Sequence, residues 1–205
     1  MFSNNLDLAQ LFRKYGSDKD RNGYSHLYSV LFDRIKNDEL NVLEIGIGTM
    51  TQGALSSMKG YMPDTYLPGA SLRAWNEYFP NSRIYGMDVQ PDTQFREDRI
   101  ETHLVDSTSK QSVDDIMNKL NIKFDIIIDD GWHLDEAQKS TLVNFFPYLK
   151  DGGLYVIEDI YPGSNITASP TVIKNIVNNN EHFFVGLKNN QCVIRKKSLQ
   201  AEGFC

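Results

Sequence analysis

Two short apolar runs sit in the second half of the chain, and each stops abruptly in carboxylates. Phe124-Asp125-Ile126-Ile127-Ile128-Asp129-Asp130 is the first, and Gly152-Gly153-Leu154-Tyr155-Val156-Ile157-Glu158-Asp159 the second. Runs of this size bounded by turn residues suit strands buried on both faces. The amphipathic segment between them makes a right-handed strand-helix-strand unit, so the two strands are parallel and end on the same edge. Similar runs precede it at Asn41 to Gly48, Arg83 to Asp88 and Glu101 to Asp106. His182 to Leu187 and Gln191 to Lys196 follow, separated by Lys188-Asn189-Asn190, and read as an antiparallel hairpin. Helical stretches fill the gaps: Ser71 to Phe79, with Ser71 as N-cap and Pro80 as stop, Ser109 to Leu120, and about Pro170 to Asn178 after a loop over Ile160 to Ser169. The sum is an α/β protein with a seven-stranded, mostly parallel sheet, an antiparallel last strand and helices on both faces.

Ahead of the sheet, Leu6, Leu8, Leu11 and Phe12 recur at helical spacing within residues 5–15. Leu27, Val30, Leu31 and Ile35 mark the expected buried face of a second helix from Ser25 to about Lys36. Residues 1–38 thus form a helical lead-in to a core at 40–196, and 1–205 reads as one domain. The long connection from Thr49 to Gly69, rich in Gly, Met, Tyr and Pro, is of a length usually tied to function or mobility.

Charge and composition narrow the function classes. A net charge of -6 argues against a nucleic-acid binder that works by neutralising phosphates. No apolar run approaches the ~20 residues of a membrane helix, and the amino terminus shows no basic-then-apolar secretory pattern. A cytoplasmic location is the expectation. Cys192 and Cys205 have neither metal-ligand spacing nor the look of a disulfide framework.

The chemistry concentrates at the strand ends. Ligands of open α/β sheets bind along that edge, so Asp129, Asp130, His133, Glu158 and Asp159 should converge there. Glu44-Ile45-Gly46-Ile47-Gly48 ends the first strand in a Gly-x-Gly turn. The nicotinamide fingerprint needs a third glycine where this chain has Thr51, and Gly53 comes two residues late, which disfavours a dinucleotide. Asp88 can accept from both ribose hydroxyls of an adenosine, and Asp106 or the Ser107 backbone can meet an adenine amino group. Each alone also suits a turn cap; together they favour an adenosine site. Asp130, Glu158 and Asp159 on one edge repel one another unless protonated, paired or bound to a cation, and an all-oxygen set suits Mg²⁺. Capping of a helix and a loop is the competing account. His133, expected just inside the helix after Asp130, can take a proton near neutral pH.

Val42 to Gly48, Asp88, Asp106 and Phe124 to Asp129 resemble the ordered motifs of class I S-adenosylmethionine-dependent methyltransferases, which have a Rossmann-like fold. Asp130-Gly131-Trp132-His133, Ile157-Glu158-Asp159, Phe145 to Gly153 and Ser71-Leu72-Arg73-Ala74-Trp75 resemble the metal-dependent sugar O-methyltransferases of macrolide biosynthesis. The resemblance implies S-adenosylmethionine and Mg²⁺ as cofactors. Glu44, Gly46 and Gly48 would border the methionine portion, Asp88 the ribose and Asp106 with Ser107 the adenine, Asp129 would lie beneath the sulfonium, and Ser71 would be a further cofactor-binding residue. Asp130, Glu158 and Asp159 would hold the metal, and His133 would be the base. Tyr15-Gly16-Ser17-Asp18-Lys19 resembles a segment that approaches the cofactor in these relatives, so Lys19 is a candidate partner of the methionine carboxylate within a lid, beside the plainer reading of a polar helix-ending turn. The implied partner is a small sugar-like acceptor, with neither nucleic acid nor membrane; a homo-oligomer is compatible with it. A phosphorylated or phosphoramidate-type acceptor, a nicotinamide-dependent oxidoreductase and an inactive binding subunit remain as alternatives.

Overall fold

A computed structural model describes residues 6–161, 182–188 and 190–197. Two helices, α1 (Leu8–Tyr15) and α2 (Ser25–Phe32), precede the sheet. The sheet and its crossovers follow as β1 (Asn41–Ile45), α3 (Ala70–Tyr78), β2 (Arg83–Asp88), β3 (Arg96–Glu97), β4 (Ile100–Leu104), α4 (Lys110–Leu120), β5 (Phe124–Asp129), α5 (Asp135–Phe145) and β6 (Leu149–Ile157). The hairpin β7 (His182–Lys188) and β8 (Gln191–Lys196) comes last. The strand order is β3-β4-β2-β1-β5-β6-β8-β7. Pairs β1 to β2, β2 to β4, β1 to β5 and β5 to β6 are parallel, whereas β8 runs antiparallel to both β6 and β7.

The expected seven strands are present, and an eighth, the two-residue β3, is added as an antiparallel edge beside β4. From β1 the chain moves first outward through β2 and β4, then returns to build β5 and β6 on the other side. The order reverses between β1 and β5, and that reversal point is where open α/β sheets bind ligands.

Strand periodicity sorts the core into two layers. Leu43, Ile45, Ile127, Tyr155 and Ile157 pack under Val113 and Met117 of α4 and Leu142 and Phe145 of α5. Val42, Ile84, Ile126, Ile128 and Val156 pack under α1, α2 and α3. Trp75 centres the second layer, with Phe12 at 4.9 Å and Tyr28 at 5.1 Å in edge-on contact and Phe79 at 5.9 Å. The lead-in is therefore part of the core: Leu8, Leu11, Phe12, Tyr28 and Phe32 are almost wholly buried.

Several local expectations change. The second helix stops at Phe32, and its buried face is Tyr24, Tyr28 and Phe32, while Val30 is exposed. Leu27, Leu31 and Ile35 do pack against the core, partly buried as expected, but Tyr28 and Phe32 lie deeper, against Trp75. Helix α3 starts at Ala70 with Gly69 as its cap, so Ser71 lies inside the helix. Helix α5 starts at Asp135 after Leu134, so His133 precedes the helix it was expected to enter. The helix expected near Pro170 to Asn178, most of the preceding loop and Cys205 lie outside the described residues. No helix among the described residues is long and apolar enough to cross a membrane.

Candidate active site

A cavity of about 1080 Å³ opens at the carboxyl ends of the strands, over the β1/β5 reversal. Asp88, Asp106 and Ser107 line one part of it, Gly46 and Gly48 the middle, and Asp130, His133 and Asp159 another part. The turn after β1 fits tightly. Gly46 has φ +78, and a Cβ there would lie 2.1 Å from the Asp130 carbonyl oxygen. Gly48, at φ +81, would place a Cβ 2.2 Å from the Tyr66 hydroxyl. Both glycines allow the chain to close on itself here: the loop after β5 packs on Gly46, and the 49–69 connection returns Tyr66 over Gly48.

At the strand ends β2 and β4 the acids are engaged locally. Asp88 accepts from the Ile47 amide at 2.9 Å and the Gln90 amide at 2.9 Å. Burial raises its pKa against those hydrogen bonds. Asp106 accepts from the Thr108 amide at 3.0 Å and its hydroxyl at 2.7 Å. The Ser107 hydroxyl meets Thr141 at 3.0 Å, and its carbonyl accepts from Asn144. These contacts leave carboxylate lone pairs free, and all three residues remain on the cavity wall.

The acidic corner is assembled from afar. Asp130 Oδ1 lies 3.2 Å from His133 Nε2, and Asp159 Oδ2 lies 3.6 Å from His133 Nδ1. One ligand atom from each of these residues falls within 4.8 Å of the others, as a single cation would require. Burial works to raise the Asp130 pKa, but Lys19 and His133 overcome it and hold the carboxyl down at about 2. Burial works to lower His133; its hydrogen bond to Asp130 and the charges of Asp130, Asp159 and Asp129 instead raise it to about 9. Asp159 takes φ 50, a left-handed backbone uncommon for a non-glycine, and accepts a hydrogen bond from the Tyr24 hydroxyl.

Three of the expected site residues are placed differently. Glu158 turns inward, with only 1% of its surface exposed, and accepts from Lys19 Nζ at 2.5 Å and from the Tyr28 hydroxyl. It is not on the cavity wall with Asp130 and Asp159. Asp129, 1% exposed, is likewise absent from the wall and accepts from the Tyr155 hydroxyl and the Gly131 amide, each at 3.3 Å. Burial raises its pKa to about 7. Lys19 reaches the cavity, but its ammonium is spent on protein carboxylates: Asp130 at 2.7 Å, Glu158 at 2.5 Å and Glu44 at 3.2 Å. Glu44 also accepts from Ser71 at 2.8 Å and Trp75 Nε1 at 2.6 Å, so it ties β1 to α3. Tyr24 and Tyr28 went unrecognised in the sequence. Their spacing of one helical turn was visible, but their partners just past β6, Asp159 and Glu158, were not.

The fold and the strand-end pattern define a class I S-adenosylmethionine-dependent methyltransferase fold, as the sequence motifs implied. The comparisons with known proteins carry the likeness to one branch, the sugar O-methyltransferases of macrolide and polyketide biosynthesis. The chain is 34% identical over 172 residues to mycinamicin VI 2''-O-methyltransferase of Micromonospora griseorubida, covering 80% of this chain and 39% of that protein. It is 31% identical over 192 residues to demethylmacrocin O-methyltransferase of Streptomyces fradiae, covering 86% and 45%. MycE methyltransferase from the mycinamycin pathway, solved in complex with Mg and SAH, superposes with a TM-score of 0.75 at 26% identity, over 99% of this chain and 58% of that one. The chain thus spans less than half the length of these two curated relatives. No protein-family model matches it.

Proposed function

We propose that the chain is an S-adenosylmethionine- and Mg²⁺-dependent O-methyltransferase acting on a hydroxyl of a sugar or sugar-bearing small molecule. The observation that carries this reading is one cavity lined both by the strand-end acids Asp88 and Asp106 and by the cluster Asp130, His133 and Asp159. Relatives that methylate sugar hydroxyls, one of them solved with Mg and SAH, support it.

In this reading Asp88 holds the ribose, and Asp106 with Ser107 borders the adenine. The turn Glu44 to Gly48 would run under the methionine portion, with Ser71 fixing Glu44 from behind. Asp130 and Asp159 supply hard carboxylate oxygens on the cavity side, a donor set that suits Mg²⁺ and leaves positions for water and acceptor oxygens. Glu158, held by Lys19 and Tyr28, supports Asp130 from within. When bound, the ion would lower the pKa of an acceptor hydroxyl and hold it in place. His133 sits between the two carboxylates and takes the hydroxyl proton. It is charged while both carboxylates are uncompensated, so its basicity depends on their charge being neutralised. Most of the remaining catalysis is alignment of the acceptor oxygen with the sulfonium methyl.

Calorimetric titration with S-adenosylmethionine, then methyl transfer to sugar-bearing macrolides and nucleotide sugars with Mg²⁺ or with chelator, tests the proposal. Cofactor binding, with transfer that stops in chelator, is expected. Folded protein that binds no S-adenosylmethionine would overturn it in favour of an inactive binding subunit.

A further inference from the structure

The chain has two tryptophans, and the fold uses them in opposite ways. Trp75 is fully buried, ringed by aromatic side chains and bonded through Nε1 to Glu44. Trp132 lines the cavity, is 44% exposed, and its indole has no hydrogen bond, ring contact or cation contact among the described residues. Its backbone is fixed all the same. The Asp130 amide donates to the Ile45 carbonyl at 2.8 Å, and the Leu134 amide to the Trp132 carbonyl at 2.8 Å. The ring is thus presented from a pinned turn, between Asp130 and His133 on the same cavity wall. The facing wall comes from the 49–69 connection. The Asp130 loop packs on Gly46, while Tyr66 and Met58 pack on Gly48. Two residues of chain span at most about 7 Å, so both walls rise from one short turn. On the second wall the Tyr61 ring already carries the Arg21 guanidinium at 4.3 Å. Trp132 is the open aromatic face beside His133.

We propose that Trp132 is an acceptor-positioning residue, on whose indole one face of the acceptor's sugar ring stacks so that the reacting hydroxyl lies beside His133. This rests on the reading of the cavity as a sugar O-methyltransferase site. A pyranose ring is polar at its edge and apolar on faces that carry axial C–H groups. The face of an indole bears the negative part of its quadrupole, so it attracts those C–H groups while it withdraws them from water. The hydroxyls at the ring edge stay free for polar partners on the same wall. Specific pockets combine the two in this way, with apolar surface for affinity and a few polar groups for orientation. Because Trp132 is the immediate neighbour of His133, stacking fixes the sugar at the reacting end of the cavity. Roughly 60 Å² of apolar surface withdrawn from water corresponds to about tenfold in affinity.

Methyl transfer by the full chain, with saturating S-adenosylmethionine and Mg²⁺, tests this on whichever sugar-bearing macrolide or nucleotide sugar the wild type methylates fastest. Trp132→Ala is expected to raise the KM for that acceptor about tenfold, with S-adenosylmethionine affinity within about twofold by calorimetry. Trp132→Phe, which keeps an aromatic face, is expected to stay within about threefold of the wild-type KM. Tryptophan emission gives a direct reading, since Trp75 is buried and Trp132 is exposed. Adding the same acceptor to wild-type protein with S-adenosylhomocysteine should quench or shift the emission. The change should vanish in Trp132→Phe although the acceptor still binds. An unchanged KM in folded Trp132→Ala, or wild-type emission unmoved by saturating acceptor, overturns the proposal. If circular dichroism shows Trp132→Ala unfolded, the emission of wild type and Trp132→Phe decides. Wild-type protein that binds S-adenosylmethionine yet methylates none of these acceptors would instead overturn the sugar reading itself, and this inference with it.

Discussion

The two ends of the cavity are built in different ways. At the β2 and β4 ends, Asp88 and Asp106 accept from groups on their own turns or the adjoining one, such as the Gln90 amide and the Thr108 hydroxyl. At the acidic corner, Asp130 and Glu158 are held by Lys19, and Asp159 and Glu158 by Tyr24 and Tyr28, all from the far end of the chain. One end is a set of turns that organise themselves. The other exists only when α1, the 17–24 turn and α2 are docked on the sheet. Damage to the docking should therefore reach the metal chemistry before it reaches the adenosine end.

The largest expected effect is His133→Ala, which should lower kcat by ~10²–10⁴-fold, the usual weight of a positioned base. S-adenosylmethionine affinity should stay within about twofold, and near-normal turnover would remove His133 from the base role. Trp75→Ala tests the docking directly. It takes the centre from the aromatic cluster and one donor from Glu44. A loss of about 3–5 kcal/mol in unfolding free energy is expected from denaturant titration. If the two ends differ as described, Mn²⁺ binding should weaken before cofactor binding does as denaturant is added. Simultaneous loss of both would break the contrast.

Gly46→Ala probes the seam between the two ends. Its Cβ would meet the Asp130 carbonyl carbon and oxygen, and its φ is +78. The backbone strain alone should cost about 1–3 kcal/mol, read as a fall in Tm. The steric clash adds to that. At the adenosine end, Asp88→Asn should weaken S-adenosylmethionine binding about tenfold, the weight of a charge-assisted hydrogen bond. Asp106→Asn, at an exposed position, should cost about threefold. Calorimetry in chelator separates both from the metal.

The same contrast explains what could be read from the residues. The strands, their parallel order and the acids at their ends were legible, since apolar runs and turn residues are local signals. So was the convergence of Asp130, His133 and Asp159, which follows from topology once two strands are known to be parallel neighbours. The inward turn of Glu158 was not legible. Glu158 and Asp159 are adjacent, and the chain sends one into the core and the other to the cavity, helped by a left-handed backbone at Asp159. The face of α2 was legible through Leu27, Leu31 and Ile35 but not at Val30, and the deeper burial of Tyr24 and Tyr28 was missed because their hydroxyls have partners only in the folded molecule.

The residues alone specified the strands, their mostly parallel sense and the list of acids brought to one edge, while the strand order and its reversal point came with the fold. Hydrophobic periodicity and short-range turn chemistry act within a few residues and leave their mark in composition. Tertiary structure alone decided which carboxylate faces the cavity and which faces Lys19. That choice depends on burying an ammonium among Glu44, Asp130 and Glu158. Such a burial is favourable only when distant segments bring their opposite charges together, and no local pattern records it.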